Sequence, residues 1–121
     1  MEKKPVEKRI QVRSKIWLEA AGRPVLGEGR RALLQAIEEK GSISEAARSL
    51  ALTYRKAWGQ IRFMEEQLGF PLVLKLTGGV GGGGARLTPE ARELLAKYDR
   101  LIVGLQEQVN ERFQVIFFGQ R

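Results

Sequence analysis

From Ile10 onward the chain alternates: Ile10, Val12, Ile16 and Leu18 fall on one side of a period-two repeat, and Gln11, Arg13, Lys15 and Glu19 on the other. That is the pattern of a half-buried strand. Gly22-Arg23-Pro24 is turn chemistry, and Val25-Leu26 can return as a short second strand, which predicts an N-terminal β-hairpin. Residues 1–9 alternate basic and acidic groups around Pro5, with Val6 as their aliphatic residue, and read as a mobile arm. After Gly27 and Gly29 the period lengthens. Leu33, Ala36 and Ile37 share a helical face that ends at Lys40-Gly41, with a cation in the last turn and a glycine suited to the left-handed position beyond it.

Between Gly41 and Gly69 the pattern predicts two helices. Ser44 can cap a short helix from Glu45 to Leu50, and Ser42 with Glu45 also fits a capping box, so two starts remain open. Ala46, Ala47 and Leu50 are the positions such a helix would bury. Thr53 caps a second helix whose apolar face is Ala57, Ile61, Met64 and Leu68, spaced four, three and four apart, and Gly69 stops it. Residues 71–76 then form a strand, Thr77 to Ala85 a glycine-rich loop, and Arg86-Leu87 resumes an extended segment, so a hairpin with an oversized tip is expected. Thr88-Pro89-Glu90 supplies an N-cap, a proline at the first helical position and an early acid. From there a stripe of Leu94, Tyr98, Leu101, Leu105 and Val109, extendable to Phe113, predicts one helix over 88–113, roughly twice the mean length. Residues 114–121 are left as a tail.

Composition narrows the chemistry. The length of 121 residues is that of one ordinary domain, read here as a helix-turn-helix body over 10–87 followed by the long helix. No run approaches the roughly 18 apolar residues of a membrane span, and the charged start Met1-Glu2-Lys3-Lys4-Pro5 lacks the apolar stretch of a secretory signal. A cytoplasmic protein without membrane contact is expected. With no cysteine and no histidine, the chain is denied a disulfide, a Cys/His zinc site, a Ser-His-Asp triad and a thiol nucleophile. No pair of acids stands apart from ordinary solvated charges, so neither an enzyme nor a cofactor or metal is expected. A net charge of +7 and a pI of about 10.1 favour a polyanionic partner. Many basic proteins have none, so the charge needs a geometry to support it.

The element order supplies that geometry. A short helix, a tight turn and a second amphipathic helix followed at once by a strand hairpin is the order of a winged helix-turn-helix, in an α+β, mostly helical fold. Small residues at Ala46 and Ala47 let the two helices cross closely, and the first turn of the second projects Thr53, Tyr54, Arg55 and Lys56 toward a major groove. Arg55 and Lys56 can reach phosphates or guanine edges, Thr53 and Tyr54 can donate to phosphates, and Gln60 lies where an amide can pair with adenine. Ser42, Lys75, Thr77 and Arg86 complete the candidate DNA contacts, and Gly78, Gly79, Gly81, Gly82, Gly83 and Gly84 form a wing loop whose bare backbone can approach phosphates. A plain helical hairpin with solvated charges is the competing reading. The glycine run also satisfies G-x-G-x-x-G, but a dinucleotide site needs a βαβ unit, and no second parallel strand follows the helix. Trp17 and Trp58 lie beside apolar faces and read as packing. Leu94, Tyr98, Leu101, Leu105 and Val109 outlast what a small core can cover and read as a dimerisation stripe.

Gly41-Ser42-Ile43-Ser44 with Ala46-Ala47, then Tyr54-Arg55-Lys56-Ala57-Trp58, then the glycine run from Thr77 to Ala85 with Leu87-Thr88, closely resembles the N-terminal DNA-binding domain of molybdate-responsive ModE-type regulators. The LysR-type helix-turn-helix is a more distant likeness. The resemblance covers roughly Ile10 to Leu105 and implies a homodimeric transcription factor with a recognition helix at about Thr53 to Leu68 and a wing at Leu72 to Leu87. Family members continue into small β-barrel modules that bind molybdate or tungstate. This sequence reaches Arg121 without them, so no oxyanion pocket is expected within it, and a separate effector-binding protein is a candidate partner. The leading expectation is a sequence-specific regulator of molybdenum- or tungsten-related genes that binds double-stranded DNA as a homodimer. The alternative is an accessory DNA-binding subunit that docks on another protein through its C-terminal helix.

Overall fold

The computed structural model describes residues 9–76 and 84–119. Two units divide the chain, one from Trp17 to Lys97 and one joining the segment up to Ile16 with the chain from Tyr98 onward.

In the larger unit, strand β1 (Leu18–Ala20) pairs antiparallel with β2 (Arg23–Leu26) through a two-residue turn, with Ala20 opposite Arg23. Ala21 and Gly22 both take positive φ, 52° and 77°, as a tight hairpin twisted to match its strands requires. The expected turn at Gly22-Arg23-Pro24 is therefore displaced by one residue. Pro24 sits inside β2, which a two-stranded ribbon tolerates because both strands are edges.

Helix α1 (Glu28–Lys40) buries Leu33, Leu34, Ala36 and Ile37 and ends on Gly41 at φ 68°. Helix α2 (Ile43–Ser49) starts on Ser42, whose hydroxyl accepts from the Glu45 N–H at 3.1 Å, so the earlier of the two open caps is the one used. Ala51 at φ +57° turns the chain, and Leu52 N–H donates to Ala47 O at 2.8 Å. Thr53 then caps α3 (Tyr54–Leu68), its hydroxyl accepting from Lys56 N–H at 3.0 Å, and Gly69 closes it at φ 84°. Ala46, Ala57, Ile61 and Met64 have no exposed surface. Each fully buried Leu, Ile or Met of this core contributes about 1.5–3 kcal/mol by leaving water.

Strands β3 (Val73–Leu76) and β4 (Gly84–Leu87) form the wing ribbon, Val73 opposite Leu87 and Leu76 opposite Gly84. Gly84 and Ala85, expected in the loop, belong to β4. Ala85 N–H donates to Gly41 O at 2.9 Å, and a Cβ on Gly84 would stand 3.1 Å from that same oxygen, so the end of α1 draws the strand in. Thr88 caps α4 (Pro89–Ile102) by accepting from Ala91 N–H at 3.0 Å and donates to Pro71 O at 2.8 Å.

The single long helix expected over 88–113 is two helices. After α4 the chain breaks at Val103-Gly104, Gly104 adopts φ +80°, and α5 (Leu105–Phe118) runs on through most of the expected tail. The period-two segment is also different. Burial alternates from Val12 to Ala20, yet residues 10–17 form no strand. Their backbone is bound by a side chain instead: Gln106 Oε1 accepts from Ser14 N–H at 2.9 Å, and its Nε2 donates to Val12 O at 2.9 Å. Tyr98, buried, donates its hydroxyl to Ile16 O at 2.7 Å.

Candidate nucleic-acid interface

Helix α3 has two sides of opposite character. With Ala57, Ile61 and Met64 buried, the positions half a turn away are Arg55, Gly59, Arg62 and Glu66, and all four are exposed. Thr53, Tyr54 and Lys56 are exposed at the same end, and Gln60 is half-buried beside them. The expected projection of Arg55 and Lys56 into solvent is what the helix presents. Arg62 was not singled out from the sequence, although its spacing of seven from Arg55 places it on the same strip two turns on.

Tyr54 also begins a chain of contacts from α3 to the wing. Trp58 Nε1 donates to the Tyr54 hydroxyl at 2.6 Å, the rings meet edge to face with centroids 6.4 Å apart, and Lys75 of β3 holds its ammonium 5.2 Å from the Trp58 ring centroid. Trp58 is half-buried in this role. Trp17, read as packing, is 48% exposed and donates its Nε1 to Glu19 at 2.9 Å.

The base of the wing is pinned by carboxylates. Glu65 of α3 accepts from Leu72 N–H at 2.7 Å, and Glu38 of α1 accepts from Leu87 N–H at 3.2 Å and from Arg92 Nε. The Arg92 hydrogen bond, helped by Leu87 N–H and opposed by partial burial, holds the Glu38 carboxyl below the usual carboxylate range. Neither acid carries a sequence signal, because the groups it binds are brought to it only by the fold.

On the other flank of α3, Phe63 receives two guanidinium groups, Arg30 at 4.9 Å and Arg23 at 5.0 Å from its ring centroid. Arg30 lines the same cleft as Thr53, Arg55, Lys56 and Gln60.

The sequence-derived candidates thus separate into groups. Ser42, Tyr54, Lys75 and Gly84 line one cleft, and Thr53, Arg55, Lys56 and Gln60 line another. Arg86 stands apart: paired with Leu74 in the ribbon, it points to the face opposite Lys75 and lies near Glu38. Thr77, Gly78, Gly79, Gly81, Gly82 and Gly83, like residues 1–8, lie outside the described residues. Of the stripe residues, Leu94, Leu105 and Val109 are half-buried, Leu101 is 52% exposed, and Tyr98 is already buried by its own chain.

Residues 31–92 match the bacterial regulatory helix-turn-helix protein family, lysR family. The chain belongs to this family. This lysR-family chain is 44% identical over 80 residues to the molybdenum-pterin-binding protein MopB of Rhodobacter capsulatus, covering 66% of itself and 30% of MopB. It is 42% identical over 72 residues to the DNA-binding transcriptional dual regulator ModE of Escherichia coli (strain K12), covering 60% of itself and 28% of ModE. It therefore spans less than a third of the length of either relative. Its fold is shared with the crystal structure of a CbnR_DBD–DNA complex, at a TM-score of 0.52 and 22% identity, over 73% of this chain and 94% of that one. The architecture is that of a LysR/ModE-type regulator DNA-binding domain. Among the described residues no helix is long and apolar enough to cross a membrane.

Proposed function

We propose that this chain binds double-stranded DNA sequence-specifically as a homodimer and regulates transcription, with α3 entering a major groove and the β3–β4 wing lying beside it. The observation that carries the reading is the exposed strip of Arg55, Gly59 and Arg62, with Lys56 and Thr53 at its start, on a helix whose opposite face is locked into the core. Arg55 and Lys56 serve bases or phosphates, Gln60 an adenine edge, and Thr53 and Tyr54 phosphate oxygens. Lys75 joins them from the wing. Leu101, Leu105 and Val109 supply the two-fold contact, and the exposed Val103 adds apolar area next to it. The name of the molybdenum-pterin-binding protein MopB supports molybdenum-handling genes as targets.

The test is selection of bound duplexes from a random pool by the wild type, followed by affinities of Arg55→Ala and Lys56→Ala on the winning sequence. A lost base contact should cost about 1–3 kcal/mol and relax preference at one position, with the melting temperature unchanged. Wild-type binding in both variants would show that α3 is not the reading element.

A further inference from the structure

The pair of arginines on Phe63 is the feature that the recognition helix leaves unexplained. Two cations brought within about 5 Å of one ring repel each other, and the ring's quadrupole offsets only part of that. Elsewhere on the same unit arginines take acids: Arg48 pairs with Glu45, and Arg92 with Glu38. Among the described residues, neither Arg23 nor Arg30 has a carboxylate partner. Arg30 donates from Nη1 to Pro24 O at 3.0 Å, which fixes the plane of its guanidinium, and its buried Nε has no hydrogen-bond partner. Stacking and this one bond hold the group in place without neutralising it.

The surroundings point outward from there. Arg30 and Phe63 share their cleft with Arg55, Lys56 and Gly59, and apart from the helix's own backbone and the adjoining residues nothing lies within 4 Å of the position a Cβ on Gly59 would take. An anion lying along α3 could therefore approach the helix backbone at Gly59 while meeting the stacked guanidinium groups. A planar fork held by an aromatic face is suited to phosphate oxygens, since its orientation is set before the ligand arrives.

We propose that Arg23 and Arg30, stacked on Phe63, clamp a backbone phosphate of the DNA strand flanking the groove that α3 enters, an assignment that rests on the DNA-binding function above. The clamp would draw the β1–β2 hairpin and the start of α1 into the interface. It contributes affinity and register and carries no base preference, because phosphates are the same at every sequence.

The experiment uses the full chain, the selected duplex and an unrelated duplex, with dissociation constants measured across a salt series for wild type, Arg23→Gln, Arg30→Gln, the double variant and Arg30→Lys. Each glutamine variant should weaken binding to both duplexes alike and lower the slope of log affinity against log salt, and the double variant, which loses the one clamped phosphate, should lower it by about 0.9. Arg30→Lys, which keeps the charge, should keep the wild-type slope, and this variant separates a lost contact from a disturbed fold. Unchanged slopes in both glutamine variants, with Arg55→Ala still losing its operator preference, would overturn the clamp and leave the DNA reading intact. Failure of the wild type to bind any duplex would overturn both. If the slopes are unchanged while inorganic phosphate alone shifts the Arg30 Nε–Hε resonance, the site serves a free anion and the clamp is again overturned.

Discussion

Gln106→Ala should release the segment around Ser14 from α5 while leaving the helix itself in place. The Gln106 amide makes three bonds to that segment, accepting from Ser14 N–H at 2.9 Å and Ser14 Oγ at 2.8 Å and donating to Val12 O at 2.9 Å. A neutral hydrogen bond contributes about 0.5–1.5 kcal/mol net, so three give about 1.5–4.5 kcal/mol. The groups are only partly buried and water can replace the lost partner, which favours the lower end, about 2 kcal/mol. At 1.4 kcal/mol per factor of ten, that is about a 30-fold loss of protection. Native-state hydrogen exchange at the Ser14 amide reads it directly. Gln106→Glu keeps an acceptor oxygen for Ser14 and loses the donor to Val12 O, so Ser14 should retain part of its protection. Ser14 protection unchanged in Gln106→Ala would refute the claim that a side chain, and not a strand partner, holds this segment.

Gly104→Ala forces a residue with a Cβ into φ +80° and should lower stability by about 1–2 kcal/mol in thermal unfolding; a stabilised variant would mean that α4 and α5 can fuse into one helix. Glu38 has a folded pKa below its unfolded value, so its stabilising contribution is present above the unfolded carboxylate pKa and is lost as pH falls through the folded one. The stability gap between wild type and Glu38→Gln should therefore close on acidification, and a gap independent of pH would contradict the Arg92 pairing. Replacing Leu101 and Leu105 together with Glu should leave a monomer in sedimentation equilibrium, because like charges would face each other across the two-fold; a charged variant that stays dimeric would rule out this surface.

The parts of the fold that could be read in advance are those encoded within a few residues. Thr53 and Gly69 bracket α3, Thr88 opens α4 and Gly41 closes α1, each through a cap whose donor and acceptor lie three or four positions apart. The helix break at Gly104 was hidden because the apolar stripe runs across it from Leu101 to Leu105, and a lone glycine weakens a helix by only about 1 kcal/mol. What breaks the helix is the positive φ, which the sequence pattern does not show. Residues 12–16 carry a true alternation of burial, but alternation specifies faces and not a hydrogen-bond partner, and here that partner is Gln106, 92 residues beyond Ser14. The same holds for the interface. The exposure of Arg55 and Lys56 was legible from their helix position, while Glu38 and the stacking of Arg23 and Arg30 on Phe63 join elements far apart in the chain, and Glu65 meets its backbone partner, seven residues on, only once the chain has turned after α3.

The most direct test of the central claim is the ratio of wild-type affinities for the selected palindromic duplex and for a scrambled duplex of equal length, at one physiological salt concentration. A sequence-reading dimer should prefer the palindrome by about 1,000-fold or more, and that preference should collapse in Arg55→Ala. Equal affinity for the two duplexes would contradict sequence-specific recognition by α3 and leave only the general attraction of a basic surface for DNA.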